Sequence, residues 1–133
     1  MKMKDLLLRL VLAACVAGTG WVHTDLYLNG YRSIHVIGPS FLLTGAGSFA
    51  VAVLLIFSNS PVLRLLAAGL AAGALFGFTL SRTVGFFGFT ETGLNPAPQA
   101  LLSLLFEVGA LALVAVSFVP VMMKARTTSV VAR

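Results

Sequence analysis

The sequence predicts an all-α fold: a four-transmembrane-helix up-down-up-down bundle, one integral membrane domain over residues 1–133, with the N and C termini cytoplasmic. Three observations lead there. Hydrophobic residues make up 59% of the chain and charged residues 10%, with a mean hydropathy of +1.01, far from the balance of a water-soluble domain. The apolar residues fall into four long runs, and a bilayer core about 30 Å thick needs roughly 20 helical residues per crossing. The few ionisable residues collect at the ends of those runs.

The first helix is expected at about residues 6–28, with Arg9 near its start and Trp21 and Tyr27 at positions suited to an interfacial aromatic belt. Asn29-Gly30 is a turn signal, and Gly38-Pro39 marks a helix start, because proline is tolerated where the amide would lack a partner anyway. The second helix then covers about 39–57. Ser58-Asn59-Ser60-Pro61 makes a polar turn, and an apolar run follows over 62–80, interrupted only by Arg64 at its edge. Gly85, Gly88, Gly93, Pro96 and Pro98 punctuate the next stretch, so the fourth helix opens at Gln99 and is expected to end near Val121.

Cationic loops resist translocation, so the lysines and arginines set the orientation. With the N-terminus inside, Lys2, Lys4, Arg9, Arg64, Lys124, Arg126 and Arg133 are cytoplasmic, and only Arg32 and Arg82 lie outside. The expected location is the cell inner (cytoplasmic) membrane, multi-pass. The net charge of +5 then reflects topology and contact with anionic headgroups. The partner is the lipid bilayer; nucleic acid is not expected, since no soluble basic module is present to hold it.

Cys15 is the sole cysteine, which rules out an internal disulfide and any CxxC redox motif. Leu12-Ala13-Ala14-Cys15 looks like a lipoprotein signal, but Arg9 interrupts the preceding apolar stretch and Cys15 continues into the span, so it reads as a small buried apolar residue.

Gly69, Gly73 and Gly77 repeat every fourth residue, and Ala14 to Gly18 has the same small-xxx-small form. In lipid such stripes let backbones approach and gain dispersion contacts. Both are expected to pack inside the bundle, the alternative being a docking face for a larger membrane complex or a homo-oligomer.

Polar residues concentrate in the outer half: Asp25, Glu91 and Glu107 beside His23, His35, Tyr31, Arg32 and Arg82. Glu107 lies roughly 10 Å along the fourth helix from its outer end. A carboxylate at that depth is costly unless paired, protonated or wetted, and intramembrane acids commonly mark functional paths. Arg82 is its expected partner. The pair is either a structural fastening between the third and fourth helices or a protonatable site for ligand or proton coupling. His23 and His35 flank the first external loop; with Asp25 they offer a metal site, and on separate helices they offer axial haem ligands. Neither HxxxH nor CxxCH accompanies them, so the metal assignment is none and the cofactor is left unknown.

Phe86, Phe87 and Phe89 are expected to rest in the headgroup region or cap the bundle over Glu107. The chain lacks a phosphate loop, a nucleophile elbow and HExxH, which leaves familiar hydrolase and nucleotide-dependent classes unsupported.

The segments Tyr31-Arg32-Ser33-Ile34-His35-Val36-Ile37-Gly38-Pro39 and Leu80-Ser81-Arg82-Thr83-Val84-Gly85-Phe86-Phe87-Gly88-Phe89 resemble those of small four-helix bacterial integral membrane proteins that carry no assigned activity. The resemblance implies a fold and no reaction. Small multidrug exporters are similar in length, but their essential acid is in the first helix; four-helix quinone-linked thiol oxidoreductases need paired cysteines that are missing here. The reading is a non-catalytic accessory or structural subunit with an outer-leaflet polar pocket around Glu107 and Arg82. A small transporter using Glu107 is the alternative, and a haem or metal redox protein using His23 and His35 the third.

Overall fold

The computed structural model describes residues 2–131, so Arg133, counted above among the cytoplasmic cations, lies outside the described residues. Four α-helices form in chain order: α1, Met3–Leu26; α2, Ile37–Phe57; α3, Pro61–Arg82; and α4, Gln99–Val131. All four are long and apolar enough to cross a membrane. Its surface is apolar where that of a soluble domain would be polar, and several polar side chains lie inside. Thr19, His23, Ser48, Ser81, Ser103 and Glu107 are buried, while Leu43, Phe57, Leu65, Phe76, Leu105 and Val108 are exposed. A hydrocarbon solvent favours that arrangement, because apolar side chains lose nothing by facing lipid and polar ones must find partners inside.

Local chemistry accounts for the element ends. α1 passes into one π-helical turn, Tyr27–Tyr31, where Gly30 takes a φ of 154° that a side chain would resist, so the Asn29-Gly30 signal marks the real end of the helix. Ser60 caps α3, its Oγ accepting the Val62 amide at 3.2 Å, and Pro61 fills the first helical position. α4 is the exception. Expected to end near Val121, it continues through Pro120 to Val131, about 50 Å at 1.5 Å per residue. Hydropathy marks where a bilayer could end; Met122, Met123, Lys124, Ala125 and Arg126 are good helix formers and carry the helix onward.

α1 is the central element, packing along α2 and α4, while α3 completes the bundle against α2 and α4 and barely meets α1. Close approach occurs along α1. A Cβ built on Gly20 would lie 3.3 Å from the Gly45 carbonyl oxygen, so α1 and α2 touch nearly backbone to backbone, and one on Gly18 would lie 2.7 Å from the Phe106 ring of α4. Half of the predicted α1 stripe therefore packs, since Gly18 is covered but Ala14 is exposed. The α3 stripe was expected to be buried and is not: a Cβ on Gly69, Gly73 or Gly77 would have nothing within 4 Å. Spacing identifies a face without bulk, but the neighbouring helix must also come to it, and α3 leans elsewhere.

The two ends of the bundle differ. Near the Ser58–Ser60 turn, Leu12, Val16, Val51, Leu55, Ala67, Ala71, Ala110 and Val114 form a continuous core. Towards the other end, where the α1–α2 and α3–α4 connections meet, α2 and α3 part beyond the contact of Gly47 with Leu70, and a cavity opens.

Candidate functional site

The cavity has a volume of about 330 Å³ and takes lining residues from all four helices and both long connections. Its walls are mainly apolar and aromatic, including Leu26, Ile37, Phe41, Ala74 and Phe78, a lining typical of sites for small molecules. Polar groups occupy its roof and its base.

The roof is the α3–α4 connection folded back over the helix ends. Phe86 and Phe89 exchange backbone hydrogen bonds of 2.9 and 3.0 Å around Phe87-Gly88, whose φ angles of 51° and 80° fit the tight turn of a two-residue hairpin. Phe86 and Phe89 thereby turn towards the cavity, and Phe87 remains exposed. Glu91 fastens this roof: its amide donates to the Ser81 carbonyl at 2.9 Å, its Oε2 pairs with Arg82 at 3.0 Å, and its Oε1 accepts from the Tyr31 hydroxyl. Tyr31 also sets its ring edge-on to Phe41 and Phe89, at 5.0 and 5.5 Å between centroids, and so ties the first connection to the second. All three nitrogens of Arg82 are engaged. Nε donates to the Gly93 carbonyl at 3.1 Å, Nη1 to Ser81 Oγ at 2.6 Å and Nη2 to the Asn95 carbonyl, while the guanidinium lies 3.7 Å from the Phe78 ring centroid.

At the base, Ser103 and His23 line the cavity and are backed by Glu107, which does not itself line it. Ser103 donates to Glu107 Oε1, which also lies 4.0 Å from His23 Nε2, and Glu107 is only 1% exposed. The partnership expected between Glu107 and Arg82 is therefore not the one that forms; each has a nearer partner, Ser103 with His23 for the acid and Glu91 for the base. The Arg82 side chain folds up into the loop carbonyls rather than down the helix. Sequence placed both residues in the same half of the membrane but could not rank partners separated by loop geometry.

His23 sits at the junction of base and wall. Its Nδ1 lies 2.9 Å from the Thr19 carbonyl oxygen, an acceptor only, so Nδ1 carries a hydrogen and the neutral ring presents an Nε2 lone pair towards Glu107. Phe41 packs against the ring at 4.9 Å. Glu107 Oε2 is buried without a hydrogen-bond partner. The pair can be an imidazole facing a carboxylic acid or an imidazolium facing a carboxylate. Both forms are neutral as a unit, which is what a low-dielectric interior favours.

Of the other expected site residues, Asp25 joins α1 to the start of α4, accepting from Gln99 at 3.0 Å and from Asn29 at 2.9 Å. Arg32 and His35 are exposed and do not line the cavity, so the two histidines do not share it. Among the described residues no group of three or more His, Cys, Asp or Glu side chains comes together as a metal site. Cys15 is half-buried in mid-α1, with Gly109 of α4 beside its sulfur. Sequence reasoning placed Glu91 in the right region without a role and passed over Ser103. The serine's position one turn before Glu107 was the available signal, because residues four apart share a helix face.

Comparison with protein-family models, with curated proteins and with solved structures finds no match in any of the three.

Proposed function

We propose that this chain is a non-catalytic protein of the cytoplasmic membrane that binds a small molecule in the outer half of an up-down-up-down bundle, with both termini inside. The orientation rests on the excess of cationic residues near the termini and the Ser58–Ser60 turn. The observation that carries the binding reading is the cavity itself: about 330 Å³, walled by aromatic rings, with Ser103 and His23 at one end, both held against buried Glu107 behind them, and a fastened roof at the other. An apolar, aromatic cavity with a few placed polar groups is the usual form of a small-molecule site, and buried polar clusters are costly to keep in a membrane interior.

Binding fits better than passage. The turn-end half of the bundle is filled by the Leu12–Val114 core, so the cavity is a pocket without a continuation towards the cytoplasmic side. The test is organic extraction of the protein purified from its own membranes, followed by mass spectrometry. A bound small molecule is expected with the wild-type chain and not with Thr44→Phe, which projects a ring into the cavity; the same content in both would refute the reading. An accessory role in a larger complex draws support from a different observation, the uncovered Gly69 to Gly77 face of α3. Co-purification of a larger assembly, lost on Gly69→Leu, would favour it.

A further inference from the structure

The geometry points to lateral loading: the cavity takes its ligand from the bilayer through a gap between α2 and α3, and the ligand is an uncharged amphiphile with a compact hydrogen-bonding head and an apolar tail. This rests on the binding reading above and specifies its substrate class and route.

The route follows from which lining residues are exposed. Only Leu43, Gly73 and Phe76 among them are, and all three lie on the facing stretches of α2 and α3. Every lining residue contributed by the roof, namely Phe86, Phe89, Glu91 and Pro96, is at least half-covered, and Glu91 is held from both connections by Arg82 and Tyr31. The aqueous side is thus closed and the lipid side open. Gly73 and Gly77, read from sequence as a packing stripe, both line the cavity and have free space where a side chain would be. They keep the gap clear. Leu43 and Phe76 flank it as apolar posts exposed by 73% and 63%, a surface that a tail can slide along and a hydrated solute cannot.

The head's chemistry follows from the charge balance. Arg82 and Glu91 neutralise one another, and Glu107 with His23 forms a neutral unit, so the cavity has no surplus charge to compensate an ionic head in a low-dielectric site. A phosphate would have to pull Arg82 from the Gly93 and Asn95 carbonyls and from Glu91. A hydroxyl needs only an acceptor, and the oxygens of Ser40, Thr44 and Ser103 offer lone pairs on the wall, the Ser40 and Ser103 hydrogens being given to the Val36 carbonyl and to Glu107.

The experiment uses the full chain in nanodiscs and a dioctanoylglycerol analogue with a photoactivatable diazirine in one tail. Crosslinks are expected at residues 40–44 and 73–78, competed by unlabelled dioctanoylglycerol but not by dioctanoyl phosphatidylglycerol or by free glycerol. In Gly73→Leu/Gly77→Leu protein the competable yield should fall about tenfold with the melting temperature not lowered, since both added side chains enter open space. Undiminished yield in that variant would overturn the lateral gap, and equal competition by phosphatidylglycerol would overturn the uncharged head. If no competable crosslink forms while a molecule displaced by Thr44→Phe is extracted, the amphiphile is wrong and the pocket stands; if neither is seen, both fall.

Discussion

Replacing Gly18 with alanine should destabilise the bundle, while the same change at Gly73 should not, although sequence spacing expects both positions to pack inside the bundle. At Gly18 the added Cβ would lie 2.7 Å from three carbons of the Phe106 ring. Carbon atoms prefer separations of about 3.5–4.0 Å, so the ring or α4 must yield by roughly 1 Å. Overpacking of that kind costs about 1–3 kcal/mol, partly offset by the gain of up to about 1 kcal/mol when alanine replaces glycine in a helix. A net loss of up to about 2 kcal/mol is expected for Gly18→Ala. At Gly73 nothing lies within 4 Å, so only the helix-propensity gain remains. Reversible unfolding of the reconstituted protein, followed by steric trapping, measures both on one scale. A loss at Gly73→Ala equal to that at Gly18→Ala would refute the reasoning and show that the open α3 face is covered in the membrane.

Three further outcomes are expected. In a double-mutant cycle Arg82→Gln and Glu91→Gln should couple by about 0.5–3 kcal/mol, whereas Arg82→Gln and Glu107→Gln should add within about 0.5 kcal/mol; thermal unfolding in detergent reads both, and the reverse pattern would restore the pair expected from sequence. Glu107→Gln, which keeps the shape and an acceptor for Ser103, should alter stability by less than about 1 kcal/mol, while Glu107→Leu strands the Ser103 hydroxyl and should cost about 1–3 kcal/mol. Cysteine substitutions on a Cys15→Ala background, labelled with an impermeant reagent in intact cells, should react at Asn95 and not at Asn59. Labelling at Asn59 alone would invert the proposed orientation.

Four helices long and apolar enough to cross a membrane were legible in the sequence because hydropathy and turn chemistry are local properties. The runs, the Asn29-Gly30 end of the first helix and the Ser60-Pro61 start of the third require no knowledge of neighbours. The concentration of polar residues in one half of the bundle was legible for the same reason, since helix rise converts position in sequence into depth. Partnership was not. Whether Glu107 meets Arg82 or Ser103 and His23 depends on how the α3–α4 connection folds back to supply Arg82 with carbonyls and with Glu91, a matter of three-dimensional competition among acceptors. The glycines make the same point from the side of packing. A missing side chain permits close approach but supplies no force to bring a helix near, so the tertiary arrangement alone decided that Gly18 and Gly20 lie at tight contacts while Gly73 and Gly77 border an open gap.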